Sequence, residues 1–159
     1  MRSANTIIKN VMSRVNLFLD SSALFAGITS STGAARVLLL LAETQHITIT
    51  ISEQVVVETE RAIARKAPKA LDDLRQAILA SKAQIVRDPT PEEVRAQRNL
   101  ISHPADFPIV MAAMRIQADH LVTLNRKHFI DDPAVAQQSG LRIGTPGEAL
   151  EWVRGGMAE

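Results

Sequence analysis

Short apolar runs alternate with amphipathic stretches along this 159-residue chain, and the two periodicities predict strands and helices in turn. Val15 to Leu19 reads as a short buried strand that delivers Asp20 at its C-terminal end. Ser21, Ser22 and Gly27 follow, and then a helix from about Gly33 to Glu43 with Val37, Leu38 and Leu41 on one face. His46 to Ile51 alternates Thr with Ile, a strand signal, and Ser52 caps a helix running to about Lys66. Pro68 opens another helix through about Ala80, Gln84 to Val86 reads as a strand, and Asp88-Pro89-Thr90-Pro91 as a turn. From Glu92 a helix runs to about Ile101. His103-Pro104-Ala105-Asp106 leads into a helix from about Phe107 to Gln117, and His120 to Thr123 forms another buried strand. A helical turn around His128 and Phe129 comes next, with a second turn at Asp131-Asp132-Pro133. Leu141 to Ile143 reads as an edge strand, and Thr145 and Pro146 start a last helix that ends near Gly155-Gly156.

Strands alternating with helices predict an α/β fold, a three-layer α/β/α sandwich whose mostly parallel sheet is covered on both faces. There is no internal repeat. The length suits one domain with a core that needs no disulfides. Residues 1–11 are polar and aperiodic, Met12 is a second plausible start, and residues 1–14 are expected to fray as a leader. The domain is expected to occupy residues 15–154, with 155–159 as a tail.

Composition narrows the chemistry. Hydrophobic residues at 46% exclude a disordered chain, and charged residues at 22% are ordinary for a globular protein. With no cysteine, disulfides, thiolate metal sites and thiol catalysis are excluded, and the composition suits a reducing cytoplasm. The apolar run Val37 to Ala42 falls far short of the roughly 20 residues that cross a bilayer. A formal net charge of +1 argues against a passive nucleic-acid coat, which lives on phosphate neutralisation. Aromatic residues at 3%, with no Tyr, leave almost nothing to stack on bases. A nucleic-acid substrate would therefore be handled through its backbone, with metal as the obvious handle.

In open parallel sheets function gathers beyond the C-terminal strand ends, so acids distant in sequence converge there. Asp20 follows the first strand, Glu58 lies in the helix after the second, and Asp106 starts the helix before the His120 strand, which ends at Thr123 and Asn125. Three carboxylates facing one crevice repel unless a cation neutralises them, and hard oxygen ligands suit Mg²⁺ or Mn²⁺. One or two such ions would activate water for in-line displacement at a phosphodiester, with no need of a His base or Ser nucleophile.

Four segments carry a family resemblance: Leu17-Phe18-Leu19-Asp20-Ser21-Ser22-Ala23-Leu24, Ser52-Glu53-Gln54-Val55-Val56-Val57-Glu58, Asp106-Phe107-Pro108-Ile109-Val110-Met111-Ala112-Ala113 and Leu121-Val122-Thr123-Leu124-Asn125-Arg126-Lys127-His128-Phe129. In order and spacing they resemble the four motifs of PIN domains, over about residues 15–154, and are most similar to the toxin components of toxin-antitoxin pairs related to the VapC type. The resemblance implies a PIN-like parallel-sheet fold, Mg²⁺- or Mn²⁺-dependent ribonuclease activity, frequent homodimers and often a small antitoxin partner. It puts the family's first three acids on Asp20, Glu58 and Asp106, as metal ligands and catalytic residues. The fourth, usually Asp, falls on Asn125, an uncharged amide with one oxygen acceptor. A second metal there would be held more weakly, while Asn125 could still ligate or orient a water. Ser21 and Thr123 are candidates to aim the carboxylates by hydrogen bonds. Arg126, Lys127 and His128 sit beside the site as candidates to bind the phosphate backbone.

Each residue also has a plainer reading. Asp106 before Phe107-Pro108 makes a good helix N-cap, and Asp20 can cap the turn that follows it. Glu58 can be an ordinary solvated helix residue, and Asn125 a turn residue. His103 and His120 lack the paired spacing of metal ligands and read as incidental. Asp131 and Asp132 read as turn and cap residues, Met111 and Met114 as core fillers, and Trp152 as packing the last helix on the sheet. The main rival function is a non-catalytic PIN module that binds RNA or a protein. A phosphoacceptor receiver domain and an Asp-x-Asp phosphatase are both disfavoured, because the acids stand in the wrong places.

Overall fold

The first strand, Asn16–Leu19 (β1), has Leu17, Phe18 and Leu19 at 0% exposure. Successive strand residues point to opposite faces, so a run buried without alternation requires cover on both sides of the sheet. The computed structural model describes residues 14–97 and 104–157. The expected leader, the predicted helix end near Ile101 and His103 lie wholly or almost wholly outside the described residues.

After β1 come α1 (Ser21–Thr29), α2 (Ala34–Glu43), β2 (Thr48–Ser52) and α3 (Glu53–Lys66). A 3-10 turn at Pro68–Ala70 leads into α4 (Leu71–Ala80), then β3 (Gln84–Val86), α5 (Pro91–Ala96), α6 (Phe107–Arg115) and β4 (His120–Val122). A π-helical turn at Arg126–Ile130 precedes α7 (Pro133–Ser139), β5 (Ile143–Gly144) and α8 (Pro146–Met157). All strand pairings are parallel, in the order β3-β2-β1-β4-β5, and helices flank the sheet. The chain builds outward from β1 to β3, then returns to the other side of β1 to add β4 and β5. The strand order therefore reverses between β1 and β4, where ligand crevices form in open α/β sheets.

The periodicity reading locates the strands, and most helices, to within a few residues. It misses α1, a helix of 9 residues from Ser21 to Thr29, whose N-cap is Asp20. The signal was local: an acid followed by small residues at the end of a strand is an N-cap pattern. Gly27 lets this helix lie close against α2, since a Cβ there would come within 2.7 Å of Leu39 Cδ1 and 3.3 Å of the Ala35 carbonyl. Asp132 is the cap that its place before Pro133 suggested: it accepts from the Ala134 amide and starts α7, a helix the periodicity reading did not anticipate. That helix stops at Gly140, whose φ of 73° is the left-handed conformation glycine adopts without a Cβ penalty. Among the described residues no single helix is long and apolar enough to cross a membrane.

Candidate active site

Asp20 follows β1, and its amide donates to the Val122 carbonyl at the end of β4, which pins it at the switch point. The carboxylate is 3% exposed and accepts three hydrogen bonds. Oδ1 takes the Ser22 hydroxyl at 2.7 Å and the Ala23 amide at 2.9 Å, and Oδ2 takes the Thr123 hydroxyl at 2.5 Å. Asp20 thus caps α1 while standing at the switch point of the sheet. Burial pushes its pKa up from the usual carboxylate value, the hydrogen bonds from Thr123, Ser22 and Ala23 pull back, and the charge of Asp106 adds to the rise.

Thr123 donates to Asp20 while its Oγ1 also accepts from the Asn125 amide at 2.9 Å. The serine that serves the site is Ser22 rather than Ser21. Its hydroxyl donates to Asp20 and accepts from the exposed Leu124 amide at 2.9 Å, tying the β1 end to the turn after β4. A Ser-Ser pair gives no hint in sequence of which hydroxyl points inward. Helix geometry decides it, because Ser22 stands two residues beyond the capping Asp20.

Glu58 is half-buried on α3, where its Oε1 accepts from Gln54 Nε2 at 3.1 Å. The same Gln54 nitrogen donates to the Ala105 carbonyl at 3.3 Å, joining α3 to the segment that presents Asp106. Gln54 was not singled out from sequence, although its i,i+4 spacing to Glu58 is a helix-face pair. Burial raises the Glu58 pKa, Gln54 opposes the rise, and the charges of Asp106, Asp20 and Asp88 add to it. Asp88, read from sequence as part of a turn, thus contributes to the acidic field. Its Oδ1 also accepts from the Gln54 amide at 2.9 Å, beside the Ser52 hydroxyl that caps the Val55 amide at 3.3 Å.

Asp106 occupies the N-cap position of α6 but makes no side-chain capping bond. Instead its Oδ2 lies 2.6 Å from His128 Nδ1 in the π-helical turn. Asn125 caps that turn: its Oδ1 accepts from the His128 amide at 3.3 Å, and its Nδ2 lies 3.2 Å from His128 Nδ1. The turn-residue reading of Asn125 is therefore correct, and the cap sits next to the Asp106 contact. His128, expected beside a phosphate, is engaged with a carboxylate. Arg126 and Lys127 are exposed in the same turn, with Arg126 within 3.8 Å of Asp131 and 3.9 Å of Glu148.

His120 stays outside this cluster. It is buried, its Nδ1 faces the Leu121 carbonyl at 3.1 Å, and its ring packs against Trp152. Burial depresses its pKa, the opposite of what a charged phosphate-binding imidazole needs.

Asp20, Glu58 and Asp106 thus come from three separated segments, and the charge of Asp106 adds to the raised pKa of both Asp20 and Glu58. Among the described residues no three His, Asp or Glu side chains already stand within common ligating distance of one point. Asp106 is held on His128 and Glu58 on Gln54. The donor set fits a hard divalent cation in kind: it consists of carboxylate oxygens whose mutual repulsion a cation would relieve.

The fold has counterparts among solved structures. PAE2754 from Pyrobaculum aerophilum superposes with a TM-score of 0.61 at 18% identity, over 89% of this chain and 90% of its own. VapBC2 from Rickettsia felis, solved bound to a DNA fragment from their promoter, matches with a TM-score of 0.56 at 24% identity, over 82% of this chain and 98% of the matched one. At these identities the likeness shows a shared fold. No curated protein sequence matches the chain at a significant level. The family profile described as the PIN domain matches residues 16–127, a span that contains Asp20, Glu58, Asp106 and Asn125. With well over half of its 159 residues inside that match, the chain belongs to the PIN-domain family.

Proposed function

We propose that the chain is a metal-dependent endoribonuclease and the toxin of a toxin-antitoxin pair. The observation that carries the reading is that Asp20, at the strand-order reversal, and Glu58 both feel the charge of Asp106, in a member of a family whose domains are typically nucleases. Asp20, Glu58 and Asp106 would hold Mg²⁺ or Mn²⁺, which when bound supplies charge neutralisation and an activated water for attack on a phosphodiester. Thr123 and Ser22 keep the Asp20 oxygens aimed, and Gln54 steadies Glu58. Arg126 and Lys127 neutralise phosphates of the RNA backbone beside the site.

The fold shared with VapBC2 supports a small antitoxin as the partner, and the family resemblance implies a homodimer as the form that meets it. The second reading is a non-catalytic module that binds RNA or protein, favoured by Asn125 at the usual position of an acid. The two separate in one assay. Unstructured RNA is incubated with the purified chain and Mn²⁺, with EDTA and the Asp20→Asn variant as controls. Manganese-dependent cleavage lost in both controls supports the nuclease, and cleavage absent from the wild type, or unchanged in the variant, rejects it.

A further inference from the structure

We infer that His128 is the positioning residue for Asp106 and fixes the direction of the third acid. This rests on the reading of Asp20, Glu58 and Asp106 as a cation site. His128 Nδ1 lies 2.6 Å from Asp106 Oδ2, a contact between side chains 22 residues apart that joins the turn after β4 to the start of α6. Both partners are largely covered, at 34% and 18% side-chain exposure, so the bond competes little with water. It consumes one carboxylate oxygen and leaves Oδ1 for another partner.

Asn125 holds the backbone of the turn that carries the imidazole. Its carbonyl oxygen is spent on the His128 amide, and its amide group abuts the ring. That leaves Asn125 poorly placed to ligate through its one oxygen and well placed to hold His128. Asp106 also lacks the capping bond that would otherwise orient it at the head of α6, so His128 is the side chain that sets its direction. His128 lies one residue past the span matched by the family profile. Removing an orienting partner of a carboxylate ligand costs about 10- to 100-fold in metal affinity.

The test is titration calorimetry with Mn²⁺ on the wild type, His128→Ala, His128→Asn and Asp20→Asn, with melting in EDTA as the fold control. His128→Ala should weaken Mn²⁺ binding by about 10-fold or more with little change in melting. His128→Asn, whose amide reaches the position of Nδ1, should recover most of the loss. Affinity unchanged or tighter in a folded His128→Ala overturns the inference, as does a folded His128→Asn that binds no better than His128→Ala. Should His128→Ala fail to fold, a folded His128→Asn within a few-fold of the wild type supports the inference, and one weakened 10-fold overturns it. A wild type that takes up no Mn²⁺ overturns the cation site and this inference together, whereas wild-type binding lost in Asp20→Asn leaves the site standing whatever His128 does.

Discussion

Thr123 Oγ1 donates to Asp20 Oδ2 at 2.5 Å, joining the ends of two adjacent parallel strands across 103 residues of sequence. Both groups are buried, so the bond sits where unpaired polar atoms are most costly.

Thr123→Val removes that donor and also the acceptor of the Asn125 amide. The expected loss is about 1–3 kcal/mol in urea denaturation with EDTA present, while Thr123→Ser should recover most of it. Equal stability of the Val variant and the wild type would contradict this account of the strand ends.

Asp20→Asn and Asp106→Asn should each abolish manganese-dependent RNA cleavage and leave the far-ultraviolet dichroism spectrum unchanged. The neutral amide keeps the shape of the carboxylate and removes repulsion from its acidic neighbours. The metal-free variants are therefore expected to melt no lower than the wild type. Retained cleavage in both would remove them from the catalytic set.

Asn125→Asp restores the acid most common at this position in the family resemblance. Its oxygen can still accept from the His128 amide, so the turn should survive, and the added charge should tighten Mn²⁺ binding several-fold. Calorimetry showing no gain would mean that residue 125 faces away from the cation.

Stability in EDTA should fall as pH rises, through Glu58. Its pKa in the folded chain lies above the ordinary value of 4.5, so the folded state holds this proton more tightly than the unfolded state does. The stabilisation is complete below 4.5 and is lost as pH climbs through the raised value. Glu58→Gln cannot ionise, and its melting temperature relative to the wild type should therefore increase from about pH 4 to about pH 7 in EDTA. A difference independent of pH would contradict the raised value.

Arg126→Ala with Lys127→Ala should weaken RNA binding in a salt-dependent way while leaving stability nearly unchanged. Both side chains are exposed, and the Arg126 ion pairs at 3.8 and 3.9 Å are of the surface kind that contributes little. RNA affinity measured by fluorescence anisotropy at two salt concentrations checks this. An unchanged salt slope would take these residues out of the RNA interface.

Much of this protein is legible in the one-dimensional pattern, because strand and helix periodicities are local. β1, β2 and β4 declare themselves as apolar or alternating runs, Ser52 and Thr145 as caps, and Asp20 as an acid at the end of a buried strand. The family resemblance picks out four candidate positions in order. α1 escaped because its apolar stripe is short, although Asp20 was already visible as its cap.

What the tertiary structure alone decided is who faces whom. Nothing local in Asp106 shows that its carboxylate leaves the helix it heads and turns to His128, or that Asn125 caps the turn carrying that histidine. Ser22 rather than Ser21 bonds to Asp20, and Gln54 and Asp88 join the surroundings of Glu58, for the same reason. Hydrogen-bond partners are set by strand order and helix rotation, which bring together residues that the chain holds far apart. Local sequence fixes the tendency of each segment to become strand or helix, and the packing of the sheet fixes which side chains finally meet.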